Sequence, residues 1–318
     1  MQFFHKKISR RRFLKAGLVA LASLPLSARF LSQAFSQTGS NGRAKSNRKG
    51  EHDLVHAQGE NPYDMTVAAV AAMGGMERFV SKGSVVVIKP NMAWDKTPEY
   101  AVTTNPLVVV ALVDLCFKAG AKRVKVFDRT CNAAARCYES SGVKKAAQER
   151  GAHVYFVDDW NYVEAHFDYK SPMEGWPIYL DAIACDTFIN VPILKHHTLT
   201  KLTLSMKNLM GVCGGNRGGL HLNIGQKMVD LTEFINPDLT VIDAFRVLAD
   251  HGPTGGNLED VVNMKSLIVA ADPTLADTYA CQLMSVDPQS VPYIAEARQR
   301  NIGIAIEDAR ILKVNASV

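Results

Sequence analysis

The feature that most constrains this chain is a series of short apolar runs rich in β-branched residues, each closed by a polar residue. Ser84-Val-Val-Val-Ile-Lys89 leads into Pro90-Asn91, and Arg123 to Phe127 ends at Asp128. Thr187 to Val191 delivers Lys195-His196-His197, Leu239 to Ile242 ends at Asp243, and Lys265 to Ala270 ends at Asp272. Continuous apolar runs of this length suit strands covered on both faces. Helical sequence separates them. Asn105-Pro106 opens a helix through Leu107, Val110, Leu112 and Leu115 that Gly120 stops, because Asn caps, Pro fits the first helical position and Gly ends a helix. Further helices are predicted at Pro62 to Val80, Tyr138 to Arg150, Gln226 to Ile235, Thr274 to Met284 and Val291 to Arg300. Third and last strands fall at His153 to Val157 and Ile311 to Val314. This alternation predicts a single α/β domain over residues 61–318, built on a mostly parallel sheet with helices on both faces.

Such a fold also predicts where ligands go. In open α/β sheets the crevice lies at the carboxyl ends of the strands, so Lys89, Asn91, Asp128, Lys195 to His197, Asp243 and Asp272 are expected on one rim. The densest stretch is Asn190 to Asn223, with Lys195, His196, His197, Lys207, Asn208, Cys213, His221 and a glycine-rich segment. Lysines after apolar strands, joined by asparagines and open glycine backbone, suit a carboxylate or phosphate. On that reading Lys89, Asn91, Asn208, Gly214 and Gly215 bind the ligand. Lys195, His196, Lys207 and Asp243 are the candidate catalytic residues. A buried lysine among cations becomes a base or Schiff-base nucleophile, and His196 with Asp243 forms an acid–base pair. His196, His197, Asp128 and Asp243 are also candidate ligands for a divalent metal, with His221 as a further partner. Neighbours on an extended segment point to opposite faces, so only one of the two adjacent histidines is expected to reach the ion. Asp272-Pro273 reads equally as a capped helix start. No P-loop, dinucleotide fingerprint, H-E-x-x-H or G-x-S-x-G elbow is present.

The charge is unevenly spread. The first fifty residues hold eleven Lys and Arg and no Asp or Glu, which leaves 25 basic residues against 31 acidic ones in the remainder. A folded part of that sign is a poor partner for nucleic acid. The basic excess belongs to Ser9-Arg10-Arg11-Arg12-Phe13-Leu14-Lys15, which fits the twin-arginine export pattern at every fixed position. An apolar run from Ala16 to Leu26 follows, too short to span a bilayer, then small residues for cleavage after Ala34. Residues 1–34 therefore read as a signal peptide, with the twin-arginine (Tat) machinery as partner, a periplasmic or otherwise exported destination, and no stable membrane span after cleavage. Residues 35–60, rich in Ser, Gly, Asn, Gln and basic residues, read as a disordered linker. Six cysteines are scattered without any C-x-x-C pair, which argues against a ferredoxin-type cluster or a zinc ribbon. Cys131 and Cys137 are spaced for a disulfide that an oxidising compartment allows.

Taken together, VVIKPN at 86–91, TTNP with its helix and AGA at 103–121, and VPILKHH at 191–197 resemble the domain-of-unknown-function 362 family. TLSMKNLMG at 203–211, TVIDA at 240–244 and ADPTLAD at 271–277 continue that resemblance in family order. The resemblance covers about residues 80 to 305. It implies an α/β domain in which Lys89, Asn91, Lys195, His196, Lys207, Asn208 and Asp243 fall at shared positions, and it implies no settled activity. Some relatives carry an iron–sulfur module, for which this chain has no clustered cysteines. The function read here is an exported protein that binds a small anionic ligand, with or without a divalent metal, at the carboxyl rim of the sheet. The rival readings are a redox or cofactor-delivery accessory without catalysis of its own, and a binding module for a partner complex.

Overall fold

The computed structural model describes residues 40–43 and 50–316. The signal peptide expected at 1–34 and much of the linker lie outside them. In chain order the strands are β1 (Leu54–Gln58), β2 (Val85–Pro90), β3 (Arg123–Val126), β4 (His153–Val154), β5 (Tyr162–Glu164) and β6 (Pro177–Tyr179). They continue with β7 (Thr187–Val191), β8 (Ile193–His197), β9 (Lys201–Thr203), β10 (Leu239–Leu248), β11 (Val261–Ala270) and β12 (Ile311–Asn315). The helices are α1 (Pro62–Ala72), α2 (Pro106–Lys118), α3 (Ala134–Ser140), α4 (Val143–Glu149) and α5 (Leu180–Ala184). After them come α6 (Ser205–Asn208), α7 (Ile224–Ile235), α8 (Pro273–Leu283) and α9 (Pro292–Gln299).

Ten strands form one sheet in the order β12-β1-β11-β10-β7-β2-β3-β4, with β8 running on beside β10 and β9 folded back on β8. Most neighbours are parallel; β11 is antiparallel to both β1 and β10, and β9 to β8. Side chains alternate across the strands and supply two cores. Val86, Ile88, Val124, Val126, Ile189, Leu267 and Val269 pack against α1, α2 and α4 on one face. Val87, Phe188, Ile242 and Ile268 pack against α7, α8 and α9 on the other. Each such side chain stabilises the fold by about 1.5–3 kcal/mol when fully buried, which is why the runs contain little polar sequence. Three helices begin on an Asx-Pro pair. Asn61, Asn105 and Asp272 each accept a backbone N–H from the first turn of α1, α2 and α8.

Several expectations are corrected. Residues 54–58, expected in the disordered linker, form β1 between β11 and β12. Upstream, Arg43 is buried in an ion pair with Asp238 and donates to the Asn236 carbonyl at 2.8 Å. The single helix expected at 138–150 is two, broken where Gly142 takes φ +71°. The helix opened by Pro62 stops at Ala72, before Gly74 and Gly75 at positive φ. Strand β10 continues through Asp243 to Leu248, so that aspartate is not a strand end. Because β11 is antiparallel to β10, pairing Ala270 with Thr240, Asp272 lies at the opposite edge from the carboxyl ends of the parallel strands. Its role is the cap of α8. All six cysteines are free thiols, Cys131 exposed and Cys137 buried, so the proposed disulfide is not formed.

Candidate functional site

The carboxyl ends of β2 and β3, with β8, open onto a cavity of about 470 Å³. Lys89, Asn91, Asp128, Lys195, His197, Lys207, Asn208 and His221 line it, together with Arg129, Cys131 and Arg217. The strand-end argument thus brings together residues spread over more than a hundred positions.

The three lysines differ in how their donors are used, and an ammonium has three. Lys89 spends all of them internally: on Asp128 Oδ1 at 2.7 Å, the Pro90 carbonyl at 2.8 Å and Asn208 Oδ1 at 3.1 Å. Asp128 is fixed in turn by the Met92 N–H at 2.7 Å. Burial pushes the Lys89 amine below its ordinary pKa, against the opposing pull of Asp128. Gly211 packs directly on this ion pair, since a Cβ there would stand 1.9 Å from Asp128 Oδ1 and 2.5 Å from Lys89 Nζ. Asn208 completes the floor by donating to Asn190 Oδ1 at 2.8 Å.

Lys195 spends two donors, on the carbonyls of Val102 at 2.7 Å and Pro253 at 3.1 Å. Burial, then the charge of Lys207, pushes its pKa down to about 7. Lys207 spends none. The residue is 8% exposed, lines the cavity, and has no side-chain hydrogen-bond or ion-pair partner among the described residues. Burial pushes its pKa down to about 8, with Arg217 adding to the effect. It is carried on α6, whose first N–H groups are held by buried Asp277, at 2.7 Å from Ser205 N and 3.0 Å from Met206 N.

The two histidines are held with defined protons. His197 Nδ1 accepts the Leu199 N–H at 3.1 Å, which leaves the ring proton on Nε2. Burial and then the charge of Lys207 push its pKa down to about 3, so the ring is neutral. His221 Nδ1 lies 3.3 Å from the Gly218 carbonyl, to which it donates, so the lone pair is on Nε2. The rings stack with centroids 6.1 Å apart.

Other expected site residues sit elsewhere. His196 points away from the cavity, as alternation along β8 requires once Lys195 and His197 face it. Its Nδ1 accepts the Gly252 N–H at 3.0 Å and so pegs the loop whose Pro253 holds Lys195. Asp243 is buried inside β10, where it accepts the N–H groups of Asn105 at 2.8 Å and Phe245 at 3.1 Å. Burial raises its pKa to about 6. It anchors the start of α2 and forms no pair with His196. The four candidate metal ligands, His196, His197, Asp128 and Asp243, are therefore not brought together. Among the described residues no three His, Cys, Asp or Glu side chains converge as a metal set. Gly214 and Gly215 do not line the cavity. Gly214 N donates to the Pro177 carbonyl at 2.7 Å, and the Gly215 carbonyl accepts Arg129 Nη1 at 3.1 Å.

Arg129 and Arg217 were not among the sequence candidates. Both staple the loop after β3 to the glycine-rich segment. Arg129 donates to the Cys213 carbonyl at 2.9 Å, and Arg217 donates to the Thr130 carbonyl at 2.8 Å and approaches Cys131 Sγ at 3.2 Å. The strand-end rule applied to the residue after Asp128 would have found the first. The electrostatic result is lopsided: Lys89, Arg129, Lys195, Lys207 and Arg217 line the cavity against one carboxylate, Asp128, which is already paired.

These features define an α/β protein with a cation-lined cavity at the carboxyl ends of its parallel strands. The chain belongs to the family described as domain of unknown function (DUF362), which it matches over residues 86–282. It is similar to the thylakoid-associated protein sll1697 of Synechocystis sp., 26% identical over 250 residues that cover 73% of this chain and 72% of that protein. Among solved structures, the lactate racemase apoprotein from Thermoanaerobacterium thermosaccharolyticum is similar at a TM-score of 0.43 and 13% identity. That match covers 75% of this chain and 58% of the other, and a likeness at this level carries nothing about activity. No helix of the described residues is long and apolar enough to cross a membrane.

Proposed function

We propose that this protein is exported and binds a small anionic ligand in the cavity between Lys195, Lys207 and Arg217. The observation that carries the reading is Lys207, a largely buried lysine whose ammonium opens onto the cavity beside other cations with no protein partner among the described residues. Leaving such a charge unpaired costs stability, and an anion in the cavity removes that cost. Lys195 adds a fixed cation with one donor to spare, and the Nε2–H of His197 adds a neutral donor. Lys89 and Asp128 are the floor beneath the ligand and do not contact it through a free charge. The pattern at Ser9 to Lys15 supports export through the twin-arginine route.

Isothermal titration of the purified protein with sulfate, inorganic phosphate and lactate tests the reading. Replacing Lys207 by Met is expected to weaken the best of these by about 10–100-fold, the worth of one charge-assisted hydrogen bond. Failure of every anion to bind, or binding that ignores the substitution, rejects it.

A further inference from the structure

The further inference rests on this reading of the cavity and names the chemistry of the ligand. We propose that the Lys207 amine forms a Schiff base with the carbonyl carbon of a small oxo acid whose carboxylate is held by the surrounding cations.

Three observations point there. Among the described residues Lys207 is the cavity lysine whose nitrogen is bonded to no protein group and could attack a carbonyl carbon without breaking such bonds, whereas Lys89 would lose three and Lys195 two. The other cations lining the cavity, Lys195 and Arg217, are available to the carboxylate once the Lys207 nitrogen is committed to the carbonyl carbon. Finally, the histidine rings lining the same space are fixed in complementary states: His197 offers an Nε2–H and His221 an Nε2 lone pair. Imine formation uses both: the His221 lone pair takes protons from nitrogen and passes them to the departing oxygen, which the His197 Nε2–H holds by a hydrogen bond. The lowered basicity of Lys207 supplies free amine near neutral pH.

The step balances without an oxidant or reductant. The amine lone pair attacks the carbonyl carbon, a C–N bond forms, and the C=O π pair moves to oxygen, which takes a proton. The carbinolamine then loses that oxygen as water while the nitrogen lone pair forms C=N. Both amine hydrogens leave with the water.

The test uses the folded full chain with pyruvate as the oxo-acid probe, lactate as its carbonyl-free counterpart, and borohydride to reduce any imine. The expected result is an irreversible mass increase equal to pyruvate less one oxygen, mapped by peptide sequencing to Lys207. The increase should be absent with lactate and absent from a Lys207→Arg variant shown by circular dichroism to be folded. The wild-type peptide map places the adduct even if that variant does not fold. If sulfate, lactate and pyruvate all bind but borohydride labels no lysine, or labels one other than Lys207, the Schiff base is overturned and the anion site stands. If none of the three binds, both readings fall.

Discussion

A lysine kept buried and unpaired for a ligand should be a liability in the empty protein, and replacing Lys207 with Met tests this directly. Met keeps an unbranched chain of similar length and removes the charge. The fall of the Lys207 pKa from 10.5 to about 8 corresponds to roughly 3 kcal/mol of penalty on the ammonium at about 1.4 kcal/mol per pH unit. Water at the cavity mouth screens part of that, so a net gain of about 1–2 kcal/mol is expected, or a rise in Tm of about 2–5 °C for a chain of this size. The same substitution should weaken sulfate or lactate binding about 10–100-fold. Stability and affinity therefore move in opposite directions, as they do where a site is held in a destabilised state for function. Anion at a concentration that saturates the wild type should raise its Tm more than that of the variant. Lys118→Met, at an exposed lysine in the last turn of α2, should change stability by less than about 0.5 kcal/mol and leave affinity alone. Differential scanning calorimetry and titration calorimetry on the same preparations give both numbers. A Tm that falls on Lys207→Met, with anion affinity intact, would falsify the account of Lys207 as a ligand-awaiting charge.

Three further outcomes follow from the same geometry. Sulfate affinity should fall as pH rises, because the anion selects the ammonium forms of Lys195 and Lys207, whose pKa values lie at about 7 and 8. The loss should approach about tenfold per pH unit between 7 and 8 and steepen above 8. Calorimetry at constant ionic strength should also show proton uptake on binding, and a flat profile from pH 6 to 9 contradicts the assignment. Gly211→Ala should destabilise the fold by roughly 2–4 kcal/mol, since its methyl collides with the Lys89–Asp128 pair; urea denaturation measures this, and a change under about 0.5 kcal/mol shows that the floor of the cavity is soft. His197→Ala should weaken anion binding by roughly tenfold through loss of a donor, whereas His196→Ala should leave it within about twofold; equal losses mean that the two faces of β8 have been misassigned.

Much of the fold is readable in the chain because its strongest signals are local. The apolar run at 84–89 and the strand at 187–191 coincide with β2 and β7, and Asn105-Pro106 opens α2 with the expected side-chain cap. What the sequence hides depends on partners far away. Leu54 to Gln58 is five residues that mix apolar and polar types, and it becomes a strand because β11 and β12, more than two hundred residues later, close on both its edges. Strand direction is equally non-local. Nothing in Lys265 to Ala270 says that β11 runs against β10, and that reversal moves Asp272 to the far edge and out of the candidate site.

The site shows the same division more sharply. A polar residue after an apolar run suggests a strand end, and the rule succeeds at Asp128, which lies two residues beyond the end of β3. It fails at Asp243 because two backbone N–H groups, from Asn105 and Phe245, satisfy the carboxylate in mid-strand. A buried acid with its own donors no longer marks the end of anything. The choice between His196 and His197 could be made from sequence, through Lys195. Side chains two apart on a strand share a face, so any reading that sends Lys195 into the cavity must send His197 with it and turn His196 outward. Parity, then, ties the neutral ring donor to the lysine. The count of donors already spent on protein oxygens, three at Lys89, two at Lys195 and none at Lys207 among the described residues, is what singles out Lys207 for the proposed ligand.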